Sequence, residues 1–157
     1  MKTHLVMVGA TGEKWLNTGI QDYIGRIVRY IPFEIILIND IKKGAKMPEQ
    51  LIKEKEGELI LKKIAPSDIL VLLDEKGKMF SSRDFASFME KQMGSGIRNI
   101  FFVIGGAYGF SDEVYKRSNF KVSLSAMTFS HQMVRLIFVE QLYRAMTIIN
   151  NEPYHHD

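Results

Sequence analysis

The chain has no cysteine, only four prolines and one tryptophan, and no apolar run approaching the roughly 18 residues needed to cross a bilayer. The missing cysteine excludes a disulfide, a thiol nucleophile and a thiolate metal site, which fits a cytoplasmic protein. Charge of one sign is scarce as well: 21 Lys+Arg against 18 Asp+Glu leave +3. That balance permits a nucleic-acid partner without requiring one, because phosphate binding depends on how basic residues cluster. The opening apolar run, Leu5 to Gly9, is too short for the apolar core of a signal peptide, so neither export nor a membrane is expected. No Gly-Lys-Ser/Thr phosphate loop occurs. The His-containing terminus, Pro153-Tyr154-His155-His156-Asp157, offers too few clustered ligands for zinc, so no metal is expected.

What remains is ordinary globular composition, 46% hydrophobic and 25% charged over 157 residues, enough for one domain spanning 1–157. Apolar strand-like runs alternate with helical periods. Strands are expected at Leu5–Gly9, Phe33–Ile38, Ile69–Leu73, Asn99–Ile104 and Phe120–Leu124. Helices are expected at Glu13–Tyr30, Glu49–Ile64, Arg83–Met93, from about Ser111, and from His131 onward. The charges of the second helix read mostly as solvated i,i+4 partners. The third strand is apolar on both sides, as in a central parallel strand. The spacing therefore predicts an α/β fold, a mostly parallel sheet of about five strands with helices on both faces.

Two stretches stand out. Gly105-Gly106-Ala107-Tyr108-Gly109 follows a strand, yet its spacing and its place after the fourth strand do not match the dinucleotide fingerprint, so a plain turn and a ligand-approach loop both stand. From Ser123, a run of small residues feeds a helix apolar on most sides, whose polar positions Glu140, Arg144, Thr147 and Asn151 fall within about 60° of arc. So much apolar circumference exceeds what one sheet face covers and predicts a homodimer packed through this helix. On periodicity alone Glu140 and Arg144 read as a helix-stabilising ion pair, and His131 as a structural histidine. The loop around Lys42, Lys43 and Lys46 reads as solvated surface, with a phosphate contact as the alternative.

Several spaced motifs then agree in order: Ile104-Gly105-Gly106 with Gly109; Leu124-Ser125-Ala126-Met127-Thr128-Phe129 with His131 and Arg135; Glu140 with Leu142-Tyr143-Arg144-Ala145; and Pro153-Tyr154-His155. Together they resemble the RlmH family, small methyltransferases of the SPOUT class that modify a pseudouridine of 23S ribosomal RNA. The resemblance covers the whole chain. It implies a C-terminal trefoil knot, a homodimer, S-adenosylmethionine as methyl donor, and methylation of pseudouridine N3 on the assembled ribosome. Carried over by position, cofactor contacts fall on Leu73, Gly105, Leu124, Ser125, Ala126, Met127, Thr128 and Phe129. Catalytic roles fall on Glu140, Tyr143, Arg144 and His155, with Arg144 gripping phosphate or the developing anion and His155 the candidate base; RNA contacts fall on His131, Arg135, Tyr154 and His156. The sequence departs from the family pattern at Ser130, in place of the usual proline, and at His156, in place of a more permanently basic residue. A non-catalytic ribosome-binding factor and a SPOUT enzyme for another RNA are the alternatives. The small size and modest charge favour the ribosome, a substrate that brings its own preformed surface.

Overall fold

The structure is a computed structural model that describes residues 1–41 and 47–156, so Lys42, Lys43 and Lys46 of the basic loop lie outside the described residues. Five strands and five helices alternate along the chain: β1 (Lys2–Val8), α1 (Lys14–Ile27), β2 (Phe33–Ile38), α2 (Glu49–Leu61), β3 (Ile69–Met79), α3 (Ser82–Gly94), β4 (Asn99–Ile104), α4 (Asp112–Arg117), β5 (Phe120–Ser123) and α5 (Met133–Ile149). The strands form one parallel sheet in the order β2-β1-β4-β3-β5. This is the expected α/β architecture.

Alternation of side chains along the strands feeds two cores. On one face Leu5, Met7, Phe102 and Val122 meet Ile20 and Ile27 of α1, Phe85 and Met89 of α3, and Phe138 and Leu142 of α5. On the other, Val6, Leu70, Leu72 and Val103 meet Ile60 of α2 and Val114 of α4. Central strands buried on both faces explain why β3 and β4 read as continuous apolar runs. Two helix starts carry serine caps. Ser81 forms a capping box with Asp84, and the Ser111 hydroxyl accepts from Val114 N.

The structure differs from the sequence expectations in several places. Trp15 of α1 and Val28 just after it, apolar residues within the expected helix Glu13–Tyr30, are 59% and 50% exposed. The charges of α2 are not all solvated, since Glu56 is 4% exposed. Asp74 to Lys78, expected as a loop, belongs to β3: both Leu73 and Lys78 register with Val122, so the intervening residues bulge out while the strand resumes against β5. That bulge stands at the carboxyl ends of the strands, where open α/β sheets place ligands.

Among the described residues no helix is long and apolar enough to cross a membrane. Nor does any group of three His, Cys, Asp or Glu among them stand ready to hold a metal ion.

Candidate active site

The chain leaves β4 into the glycine turn and leaves β5 into the small-residue loop. Because β3 lies between β4 and β5 in the sheet, both loops rise beside the β3 bulge and enclose one cavity of about 520 Å³. Turn geometry explains the glycines. Gly109 N–H donates to Gly106 O at 3.1 Å, and Gly109 has φ +80°, a conformation that L side chains rarely adopt. At Gly105 a Cβ would come within 3.1 Å of the Phe110 ring. The opposite wall is shaped by hydroxyls: Ser123 Oγ–H donates to Ser125 O at 2.9 Å, and Met127 N–H donates to Ser125 Oγ at 2.9 Å. At its end Ser130 Oγ accepts from Met133 N at 3.1 Å, so serine supplies a hydrogen bond at the start of α5 that proline could not.

The structure brings Leu73, Gly105, Leu124, Ser125, Met127, Thr128 and Phe129 onto this cavity, with His131 beside them. Ala126, the remaining expected cofactor contact, lies on the same loop but outside the lining. The lining is apolar at Leu73, Ile104, Leu124 and Val134, and backbone is accessible along the glycine turn. Met127, at 76% exposure, projects from the rim.

One polar wall comes from residues outside the expected site set. Asp74 and Glu75 of the bulge and Tyr115 of α4 also line the cavity. The Tyr115 hydroxyl donates to Asp74, and burial first, then that hydrogen bond, raises the tyrosine pKa. Thr128 Oγ1–H donates to Glu75 Oε2 at 3.4 Å, tying the small-residue loop to the bulge. The available signal was the acidic pair directly after an apolar strand.

A second cluster stands further along α5. Asn151, at φ +56°, ends the helix in the left-handed region, and Glu152 N–H returns to Thr147 O at 2.9 Å. The tail thus folds back along α5. Arg144 Nη2–H donates to Glu140 Oε1 at 2.6 Å, and Tyr154 O–H donates to the same oxygen at 3.2 Å. The Arg144 guanidinium lies 4.7 Å from the Tyr154 ring centre, and its Nη1 is 3.5 Å from His155 Nδ1. Tyr143 packs edge-on against Tyr154 at 4.7 Å. Burial, the Tyr23 hydroxyl and the Glu140 charge together raise the Tyr154 pKa. Glu140, Tyr143, Arg144, Tyr154 and His155 are therefore one interlocked group. His156 is exposed beside it. Thr147, the third member of the polar stripe, is instead fully buried, with its hydroxyl donating to Arg144 O at 2.8 Å.

Arg135 stands apart from both groups. It is fully buried, with Nη2 donating to Val8 O at 2.7 Å, Nη1 to Thr11 Oγ1 at 3.0 Å and Nε to His131 O at 3.1 Å. Burial lowers its pKa. With three of its five N–H groups bonded around the end of β1 and the approach to α5, and with no exposed surface, this side chain clamps two elements and presents nothing to RNA. The cavity and the tail cluster are also not adjacent within one chain. Val134 lines the cavity and Arg144 is ten residues on, about 15 Å along the helix axis.

The family model described as predicted SPOUT methyltransferase matches residues 1–155. Among curated relatives, the ribosomal RNA large subunit methyltransferase H of Parabacteroides distasonis is 55% identical over 157 residues, covering 100% of both chains. The protein of the same name from Flavobacterium psychrophilum is 57% identical over 156 residues, covering 99% of each. In fold, the chain is similar to a probable methylase family protein from Haemophilus influenzae, with TM-score 0.56 at 10% identity, covering 95% of this chain and 66% of that one. A probable methyltransferase from Bordetella pertussis gives TM-score 0.54 at 11% identity, with 92% and 94% covered.

Proposed function

The chain belongs to the SPOUT methyltransferase family, and from that premise we propose that it methylates N3 of a pseudouridine in 23S ribosomal RNA on the assembled ribosome. The methyl donor is S-adenosylmethionine, and the working form is a cytoplasmic homodimer of one domain per chain, with a C-terminal trefoil knot. The observation that carries the reading is full-length similarity, 55% and 57% identity, to relatives named ribosomal RNA large subunit methyltransferase H.

The cavity suits the donor. Its volume of about 520 Å³ lies in the range of small-molecule sites, and its apolar walls with accessible backbone fit a purine. The donor supplies an electrophilic methyl group on a positively charged sulfur. Leu73, Leu124 and Phe129 would hold its adenine, and the glycine turn allows close backbone approach. Asp74 and Glu75, partly offset by Lys76 beside them, leave this wall net negative toward a cationic ligand.

The target N3 must lose a proton as it accepts the methyl group. In this reading Arg144 stabilises the negative charge that develops on the base, and Glu140 and Tyr154 hold the guanidinium in place. His155 Nδ1, 3.5 Å from Arg144 Nη1, receives the proton and gives up that contact as it does so. Because about 15 Å of helix separates this group from the cavity of its own chain, the tail of one protomer serves the cavity of its partner. Exposed Trp15 on α1 and Val28 at its C-terminal cap, and half-buried Leu136, Ile137, Ile148 and Ile149 on the neighbouring α5, support a second chain against these helices.

Mass mapping of 23S RNA from a strain lacking the gene tests the reaction. Loss of N3-methylpseudouridine, restored by the purified protein with S-adenosylmethionine and ribosomes, is expected. A retained modification overturns the proposal.

A further inference from the structure

Glu56 occupies a place that packing alone does not explain. On α2 the neighbouring acidic residues Glu54 and Glu58 are exposed, whereas Glu56 is 4% exposed. Gly57 lets the helix come this close, since a Cβ there would stand 2.4 Å from Ser111 Oγ and 3.1 Å from Val114 Cγ2 at the start of α4. The adjoining carboxyl then lies against the glycine turn. A Cβ on Gly106 would be 2.5 Å from Glu56 Oε2 and 3.1 Å from both Cδ and Oε1. Gly106 lines the cavity and Glu56 does not, so the carboxyl backs the turn from the side away from the ligand.

Oε2 is buried and has no hydrogen-bond partner among the described residues. An unsatisfied buried carboxyl oxygen destabilises a fold, and an apolar side chain of the same length would fill the space without that cost. Burial first, and the charge of Asp40 second, raise the pKa of Glu56, which favours the neutral form. A neutral carboxyl both donates and accepts, so it can meet either a carbonyl or an amide of the turn.

We propose that Glu56 is a positioning residue for the methyl-donor site. Its carboxyl bonds the backbone of the Gly105–Gly109 turn while the donor is held, and the space it fills is what demands glycine at 106. The inference rests on the cofactor reading above.

Titration calorimetry with S-adenosylmethionine, paired with thermal melting, tests it on the full chain. Glu56→Met should melt at or above the parent temperature and yet bind the donor about tenfold more weakly, whereas Glu56→Gln should bind within about threefold. Gly106→Ala should weaken binding about tenfold or more in the parent. In a Glu56→Ala background, where the clash is gone, its further penalty should fall to about twofold. Parent-like binding by Glu56→Met, or an undiminished Gly106→Ala penalty beside Glu56→Ala, overturns the proposal. A parent protein that binds no S-adenosylmethionine overturns the cofactor reading itself.

Discussion

At the carboxyl edge of the sheet the cavity lies between two turns, held by Gly109 and by the Ser123 and Ser125 hydroxyls, with apolar side chains on its walls and one ionisable pair, Tyr115 and Asp74, bonded to each other. Further along α5 the tail cluster is the reverse. There Glu140, Arg144, Tyr154 and His155 are tied to one another by side chains, and the returning backbone serves only to deliver them. The first region is suited to recognising a neutral ring and a small cation by shape, the second to managing charge on a reacting base. One helix carries both, so the two can be perturbed separately.

The largest expected effect lies between the regions and damages both. Arg135→Met leaves Val8 O and His131 O without their donor, and should lower unfolding free energy by about 3 kcal/mol in denaturant titration. A neutral outcome would mean that the clamp does not join α5 to the sheet. Next in size, Arg144→Ala should cut ribosome methylation about a hundredfold while donor affinity stays within about twofold of the parent. An equal fall in both would erase the distinction between the regions. In the opposite direction, Gly105→Ala should weaken donor binding about tenfold, because its Cβ would press on Phe110 at 3.1 Å, and the loss should vanish at saturating donor. The smallest effect belongs to Ser130→Ala, which removes the acceptor for Met133 N and should cost about 1 kcal/mol in stability.

The alternating order of elements was legible because each strand carries its own apolar run and each helix its own period, with Pro32, Pro48 and Pro66 as punctuation. The cavity loops were legible for a related reason. Glycine and serine in Gly105–Gly109 and Ser123–Ser130 mark backbone conformations that other residues resist. Long-range partners were not legible. Arg135 reads as a surface cation on a helix, and its acceptors Val8 and Thr11 lie 127 and 124 residues away. Glu56 reads as one more charge on a solvated face, because nothing local reveals that Gly57 brings α2 against Ser111. The β3 extension was hidden by its composition. Asp74-Glu75-Lys76-Gly77-Lys78 has little strand propensity, and pairing with β5 overrides it.

The division of labour between cavity and tail is tested most directly by mixing two inactive proteins. Gly105→Val crowds Phe110 in the cavity wall and leaves the tail intact; Arg144→Ala disables the tail and leaves the cavity intact. Each alone should be nearly inactive on ribosomes. If the tail of one chain serves the cavity of the other, co-refolding the two should restore about a quarter of parent activity, since random pairing makes half the dimers mixed and each mixed dimer holds one complete site. Activity no greater than the sum of the separate variants would contradict a site shared between chains.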